Sequence, residues 1–368
     1  MRILIDLTSL DDNFSGIERY AYSVTKEMIK NKEHKYILLF KNKIYKGFDK
    51  FGDNIQTKII KGKNKLIFNQ IILPFNLLKH KADVYLFFAF PAPFLFFNKK
   101  SITTIHDMGA WDCPFANKKM MIWYFKILYW KASLNNKRII TVSEFSKNRI
   151  VDILGVNPDN VYVVNSAVAD IFKDFKYNRE LDEKVKQKFS LPDEYLLSLS
   201  TLEPRKNFKL LVKAYQELIL TKQIDIDLVL AGRKGWMVDD LFNGVSKEVT
   251  DRIHFTGYME DEELPYIYFN SKCFIFTSLY EGFGLPPLEA LTLGARVISS
   301  DAASLPEVLG DCVTYFENND VNSLEEAILK VLKTDGFDND KIKLWINRYG
   351  FDKSAVKIQQ IVDVKVNK

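Results

Sequence analysis

Residues 277–291 read TSLYEGFGLPPLEAL. The run CFIFTS (273–278) that leads into them has the length and composition of a buried strand. Pro286 and Pro287 stand where proline is tolerated, in the first turn of a helix. The order is therefore strand, glycine-containing turn, helix. Gly282 and Gly284 let backbone pass close to a ligand, and N–H groups at a helix start attract phosphate. Glu281 and Glu289 flank this anion site, badly placed to bind the phosphate itself. They are well placed to accept hydrogen bonds from sugar hydroxyls on either side of it. The alternative is a glycine-rich turn with two surface glutamates.

Outward from this segment the alternation repeats. In the second half, strand-like runs lie at 195–200, 226–232, 252–257, 296–300 and 312–316, with helices expected at 207–221, 261–271, 286–293, 304–310 and 322–333. In the first half they lie at 3–7, 36–40, 84–88, 101–106, 138–143 and 161–165, with helical character at 22–30 and 119–134. Such alternation predicts the α/β class, with mostly parallel sheets covered on both faces. A polar stretch, 173–194, separates the halves and reads as a linker with a short charged helix. The expectation is a doubly wound domain over 1–172, a second over 173–345, and a helical tail, 346–368, packing back on the first. Two such domains would face each other across a cleft. Ligands of open α/β sheets bind at the carboxyl ends of strands, so the loops after strands are where chemistry is sought.

Three further loops qualify. In STLEPRKNFKLL (200–211), Arg205 and Lys206 follow a strand and precede a helix whose expected N-cap is Asn207. Two adjacent cations can neutralise a diphosphate and stabilise its departure. A solvated basic pair is the alternative, and the helix dipole disfavours cations there. In TSLDDNFSGIERYAY (8–22), Gly16 stands between a strand and a helix, as a phosphate-approach glycine would. In TTIHDMG (103–109), His106 and Asp107 end a strand, as a structural pair or as part of a site. The segment Gly232-Arg233-Lys234-Gly235 could also contact a nucleotide. Asp225 with Asp227, and Asp338 with Asp340, match a D-x-D metal pattern, but one pair runs into a strand and the other lies in a late loop.

Composition excludes several classes. At 368 residues, with 47% hydrophobic and 27% charged, the chain is of ordinary globular type. Three scattered cysteines, Cys113, Cys273 and Cys312, argue against a disulfide scaffold. The four histidines show no H-x-x-x-H spacing, which disfavours a metal cluster built on histidine. There is no P-loop, hydrolase elbow or dinucleotide fingerprint. The N-terminus reads as a first strand, not a signal peptide, and no run is long enough to span a bilayer. A cytoplasmic protein is expected. Charge is uneven: residues 1–180 carry 29 Lys and Arg against 17 Asp and Glu, and residues 181–368 carry 23 against 30. No nucleic-acid fingerprint accompanies the basic half. Its lysines interleave with large apolar residues over 58–81 and 118–138, and the second of these runs suits a helix at a lipid headgroup surface. A buried helix with a solvated basic edge is the other reading.

Glu281 and Glu289 have the E-x7-E spacing of retaining glycosyltransferases of the GT-B fold. The chain resembles glycosyltransferase family 4, over nearly its whole length. The segments SGIERY, HD at 106–107, SEFS at 143–146, LEPRKN at 202–207, LAG at 230–232, FTGYM at 255–259, SLYEGFGLPPLEA at 278–290 and SDAASLPEV at 300–308 follow the family's order. The resemblance is greatest to bacterial mannosyl- and related transferases that build surface polysaccharide or lipopolysaccharide.

It implies a nucleotide-diphosphate sugar donor, GDP- or UDP-linked, and a glycan or lipid-linked acceptor at the inner face of the membrane. Arg205 and Lys206 would hold the diphosphate, shared by Gly16 and the backbone of Phe283, Gly284 and Leu285. Glu281 would bind the sugar and Glu289 the ribose. His106 would lie near the reacting centre, and Tyr258 with the loop 300–308 near the nucleotide. Ser143, Glu144 and Asn165 would shape the cleft. Transfer would proceed with retention, without metal or cofactor. One departure is Asn165-Ser166-Ala167-Val168, where the family more often has an N-G-V-D type. Sugar-nucleotide 2-epimerases share the fold, and a glycogen-synthase-like glucosyltransferase is a further alternative.

Overall fold

The computed structural model describes all residues except 11–14, 49–51, 117–118, 136–137, 234–239, 335–337 and 365–368. Part of the 8–22 loop, Lys234 and Gly235, and Lys118 and Lys137 of the basic aromatic stretch thus lie outside the described residues. The chain divides into an N-terminal unit, Met1–Ala167 with Tyr349–Lys368, and a C-terminal unit, Val168–Arg348.

The N-terminal unit is built on seven parallel strands. They are β1 (Arg2–Asp6), β2 (Lys35–Lys41), β3 (Ile55–Ile60), β4 (Val84–Phe87), β5 (Ser101–Thr104), β6 (Ile139–Thr141) and β7 (Val161–Val163). Their order is β3-β2-β1-β4-β5-β6-β7. Leu4 of β1 pairs with Ile37 on one side and Tyr85 on the other. Every residue of β4 and β5 is buried, as expected of central parallel strands covered on both faces. Strand β3 is the one the sequence reading lacks. Its IQTKII sets three polar residues, Gln56, Thr57 and Lys58, between isoleucines, and it lies at the sheet edge, where only Ile60 is fully buried.

The first helix spans Gly16–Met28, not 22–30. It starts earlier because the backbone N–H of Ser15 donates to Glu18 at 3.0 Å, one half of a capping box. The tail of this unit is the helix Phe351–Asp363. Arg138 donates to the carbonyl of Ile361 at 2.8 Å, Ser354 to that of Asn165 at 2.7 Å, and Phe351 meets Tyr20 edge-on.

The C-terminal unit carries six parallel strands. They are β8 (Tyr195–Leu199), β9 (Asp227–Ala231), β10 (Ile253–Gly257), β11 (Cys273–Phe276), β12 (Val297–Ser300) and β13 (Thr314–Phe316). The order is β10-β9-β8-β11-β12-β13, so the order in which successive strands are added reverses between β8 and β11. That is the topological switch point at which doubly wound sheets open toward ligands. The helices Phe208–Leu220 and Val321–Lys333 pack Leu211, Leu218, Leu324 and Ile328 into the core against Leu196, Leu228 and Ile298. Phe172 lies 6.1 Å edge-on from Tyr268, which ties the Asp170–Lys173 turn to this unit. The stretch 338–363 is two helices, Asn339–Ile346 and Phe351–Asp363, with Gly350 before the second. The first belongs here, through the Trp345 indole donating to Val308 at 2.8 Å.

The D-x-D pairs are absorbed structurally. Asp225 and Asp227 pair with Arg252, and Asp227 also with His254, while Asp338 caps the Asn339–Ile346 helix. The three cysteines are buried thiols. Among the described residues no helix is long and apolar enough to cross a membrane, and no three His, Cys, Asp or Glu side chains gather as a metal site would.

Candidate active site

Two loops meet at the switch point. After β8 the chain makes a short turn, Pro204–Lys206, and Asn207 takes the left-handed conformation (φ 52°). Asn207 precedes the Phe208–Leu220 helix but does not cap it with its side chain; its amide donates to Asn319 instead. After β11 the chain turns through 277–284 into the helix Leu285–Thr292. Backbone and hydroxyls lock the loops together. Leu279 N–H donates to the carbonyl of Arg205 at 2.8 Å, and Thr277 Oγ1 to that of Lys206 at 2.8 Å.

This brings Arg205, Lys206 and Glu281 into one cluster. Arg205 donates through Nη1 to Glu281 Oε2 at 3.0 Å and to the carbonyl of Tyr280 at 2.8 Å. Its Nη2 donates to Glu203 Oε1 at 2.8 Å. Lys206 Nζ donates to Glu281 Oε1, to which Ser278 Oγ also donates at 2.7 Å. The Lys206 ammonium lies 5.2 Å from the ring centre of Phe276. Glu281 is 8% exposed. Burial by itself raises its pKa, but Arg205, Lys206 and Ser278 more than reverse that and hold it at about 2. Lys206 goes down too: burial and the Arg205 charge outweigh the carboxylate. At neutral pH Glu281 is ionised, and each cation already has an anion beside it.

Because the Glu281 pKa is depressed from the usual 4.5, its ionisation adds stability above that value and loses it as pH falls toward about 2. The carboxylate alone accounts for on the order of 3 kcal/mol, offset in part by the penalty that burial imposes on the Lys206 charge. Denaturant titrations from pH 5 to pH 2 should therefore show a loss of stability that is much reduced in Glu281→Gln. Parallel curves for the two proteins would mean that Glu281 is not held as described.

The serines beneath this cluster are what the sequence reading passed over. Ser304 Oγ donates to the carbonyl of Glu281 at 2.9 Å, and Ser300 Oγ to that of Ser278 at 2.6 Å. They lie in the 300–308 segment, Ser300 as the last residue of β12 and Ser304 just before the helix Leu305–Leu309. Glu281, Gly282, Phe283 and Gly284 are buried, and Leu285 is partly exposed. Gly284 has φ 95°, and a Cβ there would come within 2.5 Å of Leu305. The turn thus rests on the 300–308 segment and demands glycine.

Glu289, 6% exposed, accepts from the hydroxyl of Tyr268 at 3.2 Å, four residues into the helix that Gly284 opens. Tyr258 is exposed, and the Arg233 guanidinium stacks over its ring at 4.5 Å. Gly232 sets this pair: its N–H donates to Gly257 at 2.9 Å, and the Arg233 carbonyl accepts from Leu202 at 3.0 Å.

The remaining sites belong to the N-terminal unit. His106 Nε2 lies 2.8 Å from the carbonyl of Phe88. A carbonyl only accepts, so that nitrogen carries the proton and Nδ1 is the basic one in the neutral ring. Tyr20 packs edge-on at 5.2 Å. Burial pushes the imidazole pKa below 6.5 despite Phe88 and Asp107, which favour the cation. Asp107 accepts from Gly109 N–H. Ser143 caps the helix Glu144–Leu154, and Asn165 donates to Val142. Gly16 is the exposed first residue of its helix.

Comparison with known proteins fits this arrangement. The family model for glycosyl transferases group 1 matches residues 180–344, and that for glycosyltransferase family 4 matches residues 14–170. O-antigen chain mannosyltransferase B of Escherichia coli is 34% identical over 65% of this chain and 63% of its own length. The serotype-specific mannosyltransferase WbdA of Escherichia coli is 32% identical over 65% of this chain and 30% of its own length. The matched segment thus spans less than two thirds of either relative. Among solved structures, WaaG, a glycosyltransferase involved in lipopolysaccharide biosynthesis, superposes with a TM-score of 0.73 at 13% identity, covering 99% of this chain and all of that one. Anabaena HepE in complex with UDP and glucose gives 0.71 at 14% identity, with the same coverage. The two sheets, their order and these matches agree: the chain has the GT-B fold and belongs to the group 1 glycosyltransferases, family 4.

Proposed function

We propose that this chain is a retaining hexosyltransferase. It moves mannose from a GDP- or UDP-linked donor to a glycan acceptor, lipid-linked, in bacterial surface polysaccharide or lipopolysaccharide synthesis at the cytoplasmic face of the membrane. The observation that carries this reading is the cluster in which Arg205 and Lys206 share Glu281 at the switch point of the C-terminal sheet. The mannosyltransferase relatives support the sugar, and the UDP named for the HepE structure supports a nucleotide donor.

In the proposed step the bond from the anomeric carbon to the diphosphate oxygen breaks, and a bond to the acceptor oxygen forms on the same face. The acceptor's proton passes to the departing diphosphate oxygen. Charge grows on that oxygen, and Arg205 and Lys206 stabilise it, so no metal or cofactor is required. Glu281 exchanges its ion pairs for the hydroxyls of the donor sugar. Glu289 takes the ribose, and Tyr258 lies beside the nucleotide. Gly16 and the backbone of 283–285 share the diphosphate with the two cations. His106, neutral and held by Phe88, acts at the donor sugar. The C-terminal unit takes the donor and the N-terminal unit the acceptor.

The test is thermal stabilisation by UDP, GDP, dTDP and ADP without metal. A nucleotide at about 100 times its Kd adds roughly 2.7 kcal/mol of stability. One base should shift the wild type and leave Lys206→Ala unmoved. No shift from any of the four, with or without magnesium, would sink the donor site.

A further inference from the structure

We propose that the N-terminal unit docks on an anionic lipid bilayer through one face built from three segments that a single glutamine ties together. The first segment is the helical run 65–79. Pro74 has no N–H to give within it, and the run accommodates this with a π-turn, Phe68–Ile72. It buries Phe68, Leu73 and Leu77 and turns Ile67, Ile71, Phe75 and Leu78 outward. The second is the helix Lys119–Asn135, which buries Leu128 and Ala132. Its outward residues, Met120, Trp123, Ile127, Trp130 and Leu134, recur at three- and four-residue steps, so they form one stripe. Phe75 and Trp123 are each 69% exposed. The third is the loop that carries Leu95 and Phe97, both exposed.

Gln70 joins all three. Its Nε2 donates to the Tyr124 hydroxyl at 2.7 Å, and its Oε1 accepts from Phe94 N–H at 2.9 Å. Lys131 adds a second tie, donating from the long helix to the carbonyls of Pro93 and Phe96. The apolar stripes are therefore held side by side by polar bonds beneath them.

Charge decides what covers this face. Residues 61–81, 88–100 and 113–138 contain no Asp or Glu at all. Lys63, Lys79, Lys99, Lys100 and Lys119 are exposed among the apolar side chains. Protein interface cores are depleted in lysine. A symmetric pairing of this face with a second copy would set lysine against lysine. Tryptophan and phenylalanine reaching into the headgroup region, with lysines beside them, is the pattern that anionic lipid attracts.

Sedimentation with vesicles tests it. The full chain should pellet with vesicles containing phosphatidylglycerol, far less with phosphatidylcholine alone, and less as salt rises. A Phe75→Ser, Trp123→Ser double variant should lose about tenfold or more in partitioning, because membrane affinity scales with the apolar surface inserted. Leu344→Ser, an exposed apolar residue of the C-terminal unit, should lose none. Unaltered melting of the double variant would establish that the fold is intact. Equal partitioning of wild type and double variant would overturn the proposal. So would a wild-type dimer in solution that the double variant dissolves, which would assign the face to a second copy. Nucleotide stabilisation is read separately on the same proteins, so this surface and the donor site can fail independently.

Discussion

Glu281→Gln should lower sugar transfer by about 10²- to 10³-fold, the range for losing one oriented group that acts on the transition state. The same variant should bind the nucleoside diphosphate at least as tightly as the wild type. These opposite directions follow from the cluster. Glu281 lies 3.0 Å from Arg205 and accepts from Lys206, so it occupies the cations proposed to hold the diphosphate. A diphosphate must take over part of that pairing, and glutamine keeps the shape while removing the competing charge. What glutamine cannot supply is a carboxylate to grip the hydroxyls of the donor sugar. A purely structural Glu281, one that only holds Arg205 in place, gives a different outcome: nucleotide affinity and transfer would fall together. Lys206→Ala provides the reference for that outcome. It removes a proposed phosphate ligand and leaves buried Glu281 short of a partner, so both binding and transfer should collapse. Nucleotide titration by calorimetry and transfer under single-turnover conditions, run on the three proteins, separate the cases. If Glu281→Gln binds nucleotide as poorly as Lys206→Ala does, the assignment of Glu281 to the sugar is wrong.

The sequence reading reached the elements that carry strong local signals. Twelve strand-like runs, six in each half, correspond to strands of the two sheets, because central parallel strands are continuous apolar runs bounded by turns. It lacked β3, whose lysine and threonine belong to an edge strand and weaken the pattern. In the candidate site the sequence marks Arg205 and Lys206 as a cationic pair and Glu281 as a sugar-binding carboxylate, each in its own loop. That they form one ion-pair cluster follows only from the pairing of β8 with β11, which no local spacing encodes. The supports of the cluster were equally hidden. Ser278, Ser300 and Ser304 matter through hydroxyls aimed at carbonyls and carboxylate, and serine in a loop has no periodicity to betray this. A helical tail is legible from 346 onward, but the break that sets Phe351–Asp363 apart from Asn339–Ile346 depends on which unit each helix packs against.

Gly232→Ala should destabilise the C-terminal unit by about 3–5 kcal/mol, among the largest effects of any single methyl group in the chain. Two costs add. Gly232 has φ 131°, a conformation that side chains rarely adopt, and a Cβ there would sit 2.0 Å from the carbonyl oxygen of Ser200. The obstacle is backbone, so no side-chain rotation relieves it. The surrounding bonds also forbid a local shift. Ser200 N–H donates to Ala231, Gly232 N–H to Gly257, and Leu202 N–H to Arg233, so the chain leaving β8 and β9 and the end of β10 are tied together in one crossing of hydrogen bonds at this residue. Gly294→Ala isolates the first cost, since Gly294 has φ 78° and no atom within 4 Å of an added Cβ. It should lose only about 1–2 kcal/mol. Denaturant midpoints of the two variants give the comparison. The Gly232 variant should also weaken nucleotide binding beyond what its stability predicts, because the same crossing presents Arg233 to Tyr258. Equal stabilities for the two variants, where these two costs predict a gap of about 1–4 kcal/mol, would mean that the strand ends yield. The loops after β8 and β9 would then be looser than the crossing requires, and Arg233 and Tyr258 would not be held in place by it.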